Sequence, residues 1–183
     1  DEIEKALERK PKLIAFGYAS NAVGTINPVR KIVEMAHAAG TQVYVDAVQY
    51  APHGPIDVQD LGCDFLACSA YKFYGPHVGV LWGRQALIEG LDLPKLQPAP
   101  ENAPDRLETG TQNHEGIIGA AAAIDFIASL GAAIPAGTGG HAGTLATRRQ
   151  RLVRAYAWLH EQGQSLFERV WEGLGGIPGV TRY

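Results

Sequence analysis

Three short apolar runs, 12–18, 42–45 and 64–68, constrain the fold of this chain more than any other feature. In Gln42-Val43-Tyr44-Val45 the β-branched and aromatic content suits a strand covered on both faces. Between the first two runs, Pro28 stands where a first helical turn tolerates it, 29–39 continues the helix, and Gly40 closes it. A loop with Pro52, Gly54 and Pro55, then a short helix over 57–61, leads into the third run. Strand, helix, strand predicts an α/β fold on a mostly parallel sheet with flanking helices.

In open α/β sheets ligands bind outside the carboxyl ends of the strands. Asn21 follows the first run, Asp46 the second, and Ser69 and Lys72 the third, so all are expected at one edge. Lys72, between Tyr71 and Tyr74 at the mouth of a buried strand, is an odd place for a solvated cation. Removal from water disfavours a charged amine, and a neutral amine attacks carbonyl carbon. A cofactor bearing an aldehyde needs such a lysine, and a pyridinium nitrogen needs a carboxylate to hold its proton. Lys72 and Asp46 have those chemistries, Gln49 can donate to a ring oxygen, and Ser69 can bond a phosphate oxygen. From the residues alone, a capping Asp46 and a loop Lys72 without a role fit the same sequence.

Residues 2–9 read as a charged helix and 78–82 as a further strand. The stretch 94–104, with four prolines, reads as an irregular loop before an Ala-rich helix over about 114–130. Five glycines and Pro135 within 131–143 mark a hinge, which divides the chain into 1–140 and 141–183. A helix over about 145–162, continued by 165–172, is broken by Gly175-Gly176-Ile177-Pro178-Gly179, and 180–183 looks like the start of a strand.

A formal charge of −3 without a basic stripe argues against nucleic acid as partner. Six scattered histidines, with no i, i+4 pair and no cysteine cluster, support no metal site. Cys63 and Cys68 are too few for a disulfide framework, point to opposite faces if they share one strand, and fit a reduced, cytoplasmic setting as buried structural residues. No apolar run reaches membrane-spanning length, and the opening Asp1-Glu2-Ile3-Glu4-Lys5 is no signal peptide, so no membrane partner is expected. Ser69-Ala70-Tyr71-Lys72 satisfies the Ser-x-x-Lys pattern of penicillin-recognising enzymes, but Gly75-Pro76 interrupts the helix they need, and Ser-Asp-Asn and Lys-Thr-Gly are absent.

Four segments in order carry a family resemblance. Ser20-Asn21-Ala22-Val23-Gly24-Thr25-Ile26-Asn27-Pro28, Val45-Asp46-Ala47-Val48-Gln49, Gly62-Cys63-Asp64-Phe65 through Ser69-Ala70-Tyr71-Lys72-Phe73-Tyr74-Gly75-Pro76, and Glu108-Thr109-Gly110-Thr111-Gln112-Asn113 resemble motifs of class V aminotransferases. The resemblance is to the cysteine desulfurase and selenocysteine lyase branch and covers about residues 12–130.

It implies a fold-type I large domain binding pyridoxal 5′-phosphate, with the start of a small α+β domain after it. Lys72 matches the Schiff-base lysine, Asp46 the partner of the pyridine nitrogen and Gln49 a contact to the ring hydroxyl. Asn21 lies beside cofactor and substrate, and Ser69 matches a phosphate ligand. Thr111 matches a threonine that reaches the phosphate of the neighbouring subunit, which implies a homodimer. Tyr71 stands where many relatives have a phosphate-donating histidine; a phenol can donate as well. Cysteine desulfuration, with transfer of sulfur to an acceptor protein, is the implied activity. Epimerisation, transamination or β-elimination within the class, or a catalytically silent domain, are the rivals. Neither Cys63 nor Cys68 matches the family's sulfur-accepting cysteine. With Met35 as its only methionine, the chain reads as an internal piece, inactive alone.

Overall fold

Four strands form one sheet in the order β1-β2-β3-β4: β1 (Leu13–Gly17), β2 (Gln42–Asp46), β3 (Phe65–Ser69) and β4 (Gly79–Gly83). The first three are parallel and β4 returns antiparallel to β3. Gly17 pairs with Asp46, and Asp46 with Ala67, so the three parallel strands finish at one edge as expected. The computed structural model describes residues 2–108, 110–134 and 147–182. They fall into two units, one of residues up to Pro52 with Ile56–Ala123, the other of His53–Pro55 with residues from Ile124 onward.

In the first unit, α1 (Glu2–Glu8) precedes β1, α2 (Val29–Ala38) joins β1 to β2, and α3 (Val58–Leu61) leads into β3. The buried residues of α2 are Val29, Ile32, Val33 and Ala36, the i, i+3, i+4, i+7 stripe of a helix laid on a sheet. Val29, Val33 and Ala36 form one core with Val43, Val45 and Leu66. Asp57 caps α3 by accepting from the Gln59 and Asp60 N–H groups, and Gly62 ends it at φ 74°, a conformation that favours glycine.

Asp64, 5% exposed, fastens the amino end of β3. It accepts the Val43 N–H at 2.8 Å, lies 2.8 Å from His37 Nε2, and takes Arg84 Nε at 3.2 Å. Arg84 also donates to the carbonyls of Cys63 and Gly62. Asp64→Ala leaves the buried Val43 N–H unpaired and removes the anion from two cations or donors, an expected loss of about 3 kcal/mol. Urea unfolding checks this as a lowered midpoint at unchanged slope.

Several expectations need correction. Cys63 lies outside the strand: Gly62 turns the chain out of α3, and pairing starts only at Phe65. Cys63 is buried and Cys68 half-buried, and burial pushes both thiols up from the usual range. A short helix not anticipated, α4 (Gln85–Gly90), follows β4. The Ala-rich helix α5 (His114–Ala133) is long and apolar enough to cross a membrane by length and composition, although no such run was expected. Its Ala120, Ala123, Ile127 and Ala128 are nevertheless buried in the protein.

In the second unit, α6 (Arg148–Gly175) is one unbroken helix opened by a capping box between Thr147 and Gln150. It packs closely on α5, with the Arg151 carbonyl lying where a Cβ on Gly131 would have to stand. Asp125 pairs with Arg148 at 3.0 Å. Residues 180–182 are not a strand, because the chain folds back on α6: Arg182 donates to the Trp171 carbonyl and lies over its ring. The expected 140/141 division and most of the glycine-rich hinge lie outside the described residues.

Candidate active site

Each wall of the site is a strand end followed by a turn that the local sequence dictates. After β1 the chain makes a small hairpin excursion, with Ala19 bridged to Ile26 and the Ser20 N–H bonded to the Thr25 carbonyl. Ser20 Oγ accepts the N–H groups of Ala22 and Val23, and Asn27 Nδ2 donates to the Gly17 carbonyl at 2.7 Å. These bonds hold Asn21 at the tip, exposed.

After β2, Asp46 Oδ1 accepts the Val48 N–H at 2.9 Å, so one oxygen turns the chain and sets Gln49 on the following turn. The Tyr18 N–H donates to the Asp46 carbonyl at 2.8 Å, and the Tyr18 and Tyr50 rings stack at 3.8 Å with 6° between planes. The segment 46–50 is thereby tied to the end of β1. Burial, and then the adjoining Tyr50, push the Tyr18 phenol up to about 12 from 10.0. An unfolded tyrosine ionises first, so this contribution to stability is complete below pH 10 and declines as pH rises toward 12. Urea midpoints followed across that range should fall less steeply in Tyr18→Phe than in the parent.

After β3, residues Ala70–Phe73 form a 3-10 turn in which Ala70 and Phe73 are buried. Tyr71, 46% exposed, and the half-buried Lys72 fall on its other side. The turn is locked by bonds from the Gly75 N–H to the Ala70 carbonyl and from the Ala70 N–H to the Val78 carbonyl, each 2.8 Å. A Cβ on Gly75 would meet Ala70 Cβ at 2.8 Å and its carbonyl oxygen at 2.9 Å, so this position takes only glycine without moving backbone.

Asn21, Asp46, Gln49, Tyr71 and Lys72 line one open cleft of about 280 Å³ at the carboxyl edge of the sheet, floored by Gly17 and Ala19. Ser69 and Thr111 are not among its lining residues. Ser69 is the last residue of β3, paired with Gly79, and Thr111 is exposed in the turn before α5. His77 stacks on Tyr71, ring centroids 5.2 Å apart, and His114 is the exposed first residue of α5. Arg106 is engaged within its own loop, donating to Glu101 and to the Leu91 carbonyl. The aromatic pairs Tyr18–Tyr50 and Tyr71–His77 were missed from sequence; aromatic residues flanking each strand end were the only signal.

A family model described as aminotransferase class V matches residues 1–153. The chain belongs to the class V aminotransferases. Among curated relatives, this class V chain is 40% identical over 148 residues to a probable cysteine desulfurase of Halalkalibacterium halodurans, covering 72% of the chain and 35% of that relative. It is 41% identical over 133 residues to a cysteine desulfurase of Yersinia pestis, covering 66% and 33%. The chain thus spans about a third of the length of the curated relatives it matches. Among solved structures, the apo cysteine desulfurase of Thermococcus onnurineus aligns over 95% of the chain and 41% of its own length, at 27% identity and TM-score 0.67. The cysteine desulfurase CsdA of Escherichia coli aligns over 66% and 36%, at 34% identity and TM-score 0.56. These neighbours place the mixed sheet with its flanking helices in fold type I of the pyridoxal-phosphate enzymes. The match to the class V model takes in the whole of the cleft.

Proposed function

We propose that the full-length protein is a pyridoxal-phosphate-dependent cysteine desulfurase and that this chain supplies the part of its site that grips the cofactor ring. The observation that carries this reading is the meeting of Lys72, Asp46 and Gln49 in one cleft at the sheet's carboxyl edge. The donor set fits the cofactor: an amine for its aldehyde carbon, a carboxylate for its pyridine N–H and an amide for its ring oxygen. When bound, the cofactor supplies an electron sink for charge that develops at the substrate's Cα.

The residues divide the remaining tasks. Asp46 keeps a proton on the ring nitrogen, and its backbone bond to Tyr18 fixes where that carboxylate begins. Lys72 would hold the cofactor's aldehyde carbon through its amine and would serve as the base that takes the proton from Cα. Gln49 would orient the ring, and Asn21 would lie beside cofactor and substrate. On this reading Ser69 and Tyr71 bind phosphate, and Thr111 serves the partner's site in a cytoplasmic homodimer that passes sulfur to an acceptor protein.

The test is incubation of the full-length, pyridoxal-phosphate-loaded protein with L-cysteine and excess dithiothreitol, whose thiols reduce the released persulfide-level sulfur to sulfide. Equal amounts of alanine and sulfide are expected, from a yellow protein. Racemised amino acid or a keto acid in their place assigns another class V reaction, and a colourless protein that ignores the cofactor overturns the reading.

A further inference from the structure

We propose that His77 is a positioning residue for Lys72 and acts through the ring of Tyr71; the inference rests on the assignment of Lys72 made above. Lys72 Nζ lies 5.3 Å from the centroid of the Tyr71 ring, within the range where an aromatic face attracts a cation. Tyr71 is 46% exposed, so the turn that carries it does not by itself fix its ring. His77 supplies the packing, with 17° between the two ring planes.

His77 is itself held on a rigid stage. Its neighbours on both sides are packed against α5: a Cβ on Gly119 would meet the Pro76 ring at 3.0 Å, and one on Gly116 would run into Val78 Cγ2. The Val78 N–H closes on the Pro76 carbonyl at 2.8 Å across His77. The anchored backbone fixes where the exposed His77 side chain starts, and its imidazole stacks on the Tyr71 ring. The order of support therefore runs from α5 to His77, from His77 to the Tyr71 ring, and from that ring to the amine of Lys72. Tyr71 acts here through its face, so its hydroxyl is dispensable for this role.

The test uses the full-length protein carrying ε-¹³C-labelled lysine. Without cofactor, the ε-methylene protons of Lys72 should show an upfield ring-current shift that Tyr71→Ala abolishes and His77→Ala reduces by more than half. Tyr71→Phe and His77→Phe, which keep flat rings, should retain it. Pyridoxal-phosphate affinity should weaken about two- to tenfold in His77→Ala, recover in His77→Phe, and weaken no further when His77→Ala is added to Tyr71→Ala. A Lys72 signal that is unshifted in the parent, or unmoved by His77→Ala, overturns the proposal, as does an unchanged affinity once the shift is lost. If the parent shows the shift and its dependence on His77 but takes up no pyridoxal phosphate, the functional reading falls and the positioning stands.

Discussion

In the full-length protein, Lys72→Ala should lower turnover of L-cysteine about a thousandfold and abolish borohydride-trapped cofactor at residue 72. The size follows from the proposed role: as the base that takes the Cα proton, a role worth roughly 10²–10⁴ in rate, and as the amine that would bind the cofactor, Lys72 would be lost on both counts. The fold should be indifferent. Lys72 is half-buried, while the turn that presents it is secured by backbone bonds and by the buried Ala70 and Phe73. The urea midpoint should therefore stay with the parent's. Lys72→Arg is the sharper control, since it keeps a cation near the Tyr71 ring but has no amine to deprotonate at neutral pH. Trapping that persists in either variant would remove Lys72 from its role.

Asp46→Asn should reduce turnover about a hundredfold or more while leaving the structure intact. The amide oxygen of asparagine can still accept the Val48 N–H, so the turn that sets Gln49 survives. What disappears is the negative charge that, on the proposed reading, would keep a proton on the ring nitrogen. The variant should bind pyridoxal phosphate, show a displaced absorbance band, and lose kcat more than KM. A kcat within threefold of the parent would mean that Asp46 is a turn cap and no more, the alternative its sequence context left open.

Much of this arrangement is legible in the chain before any coordinates. The β-branched run 42–45, the helix between Pro28 and Gly40, and the polar residues after each apolar run are local signals, and local signals fix the parallel strands and the shared edge. The missed features depend on register between segments distant in sequence. Nothing near Asp64 announces that His37, 27 residues earlier, and Arg84 will meet its carboxylate. Tyr18 and Tyr50 stack because β1 and β2 end level, a fact about pairing that neither tyrosine carries. The helix α4 is too short to show a period, and 180–182 carries strand-like residues with only the end of α6 to lie against.

The two ends of β3 carry separate duties, and that separation has a practical consequence for redesign. Asp64 bolts one end, and the turn bearing Lys72 leaves the other, five strand residues or about 17 Å along. Substitutions that harden the Asp64 end, such as better partners for its carboxylate at positions 37 and 84, leave the cleft's chemistry untouched. They also widen the margin within which the cleft loops can be randomised before variants unfold. A laboratory evolution campaign on this protein should begin at the end of the strand where nothing reacts.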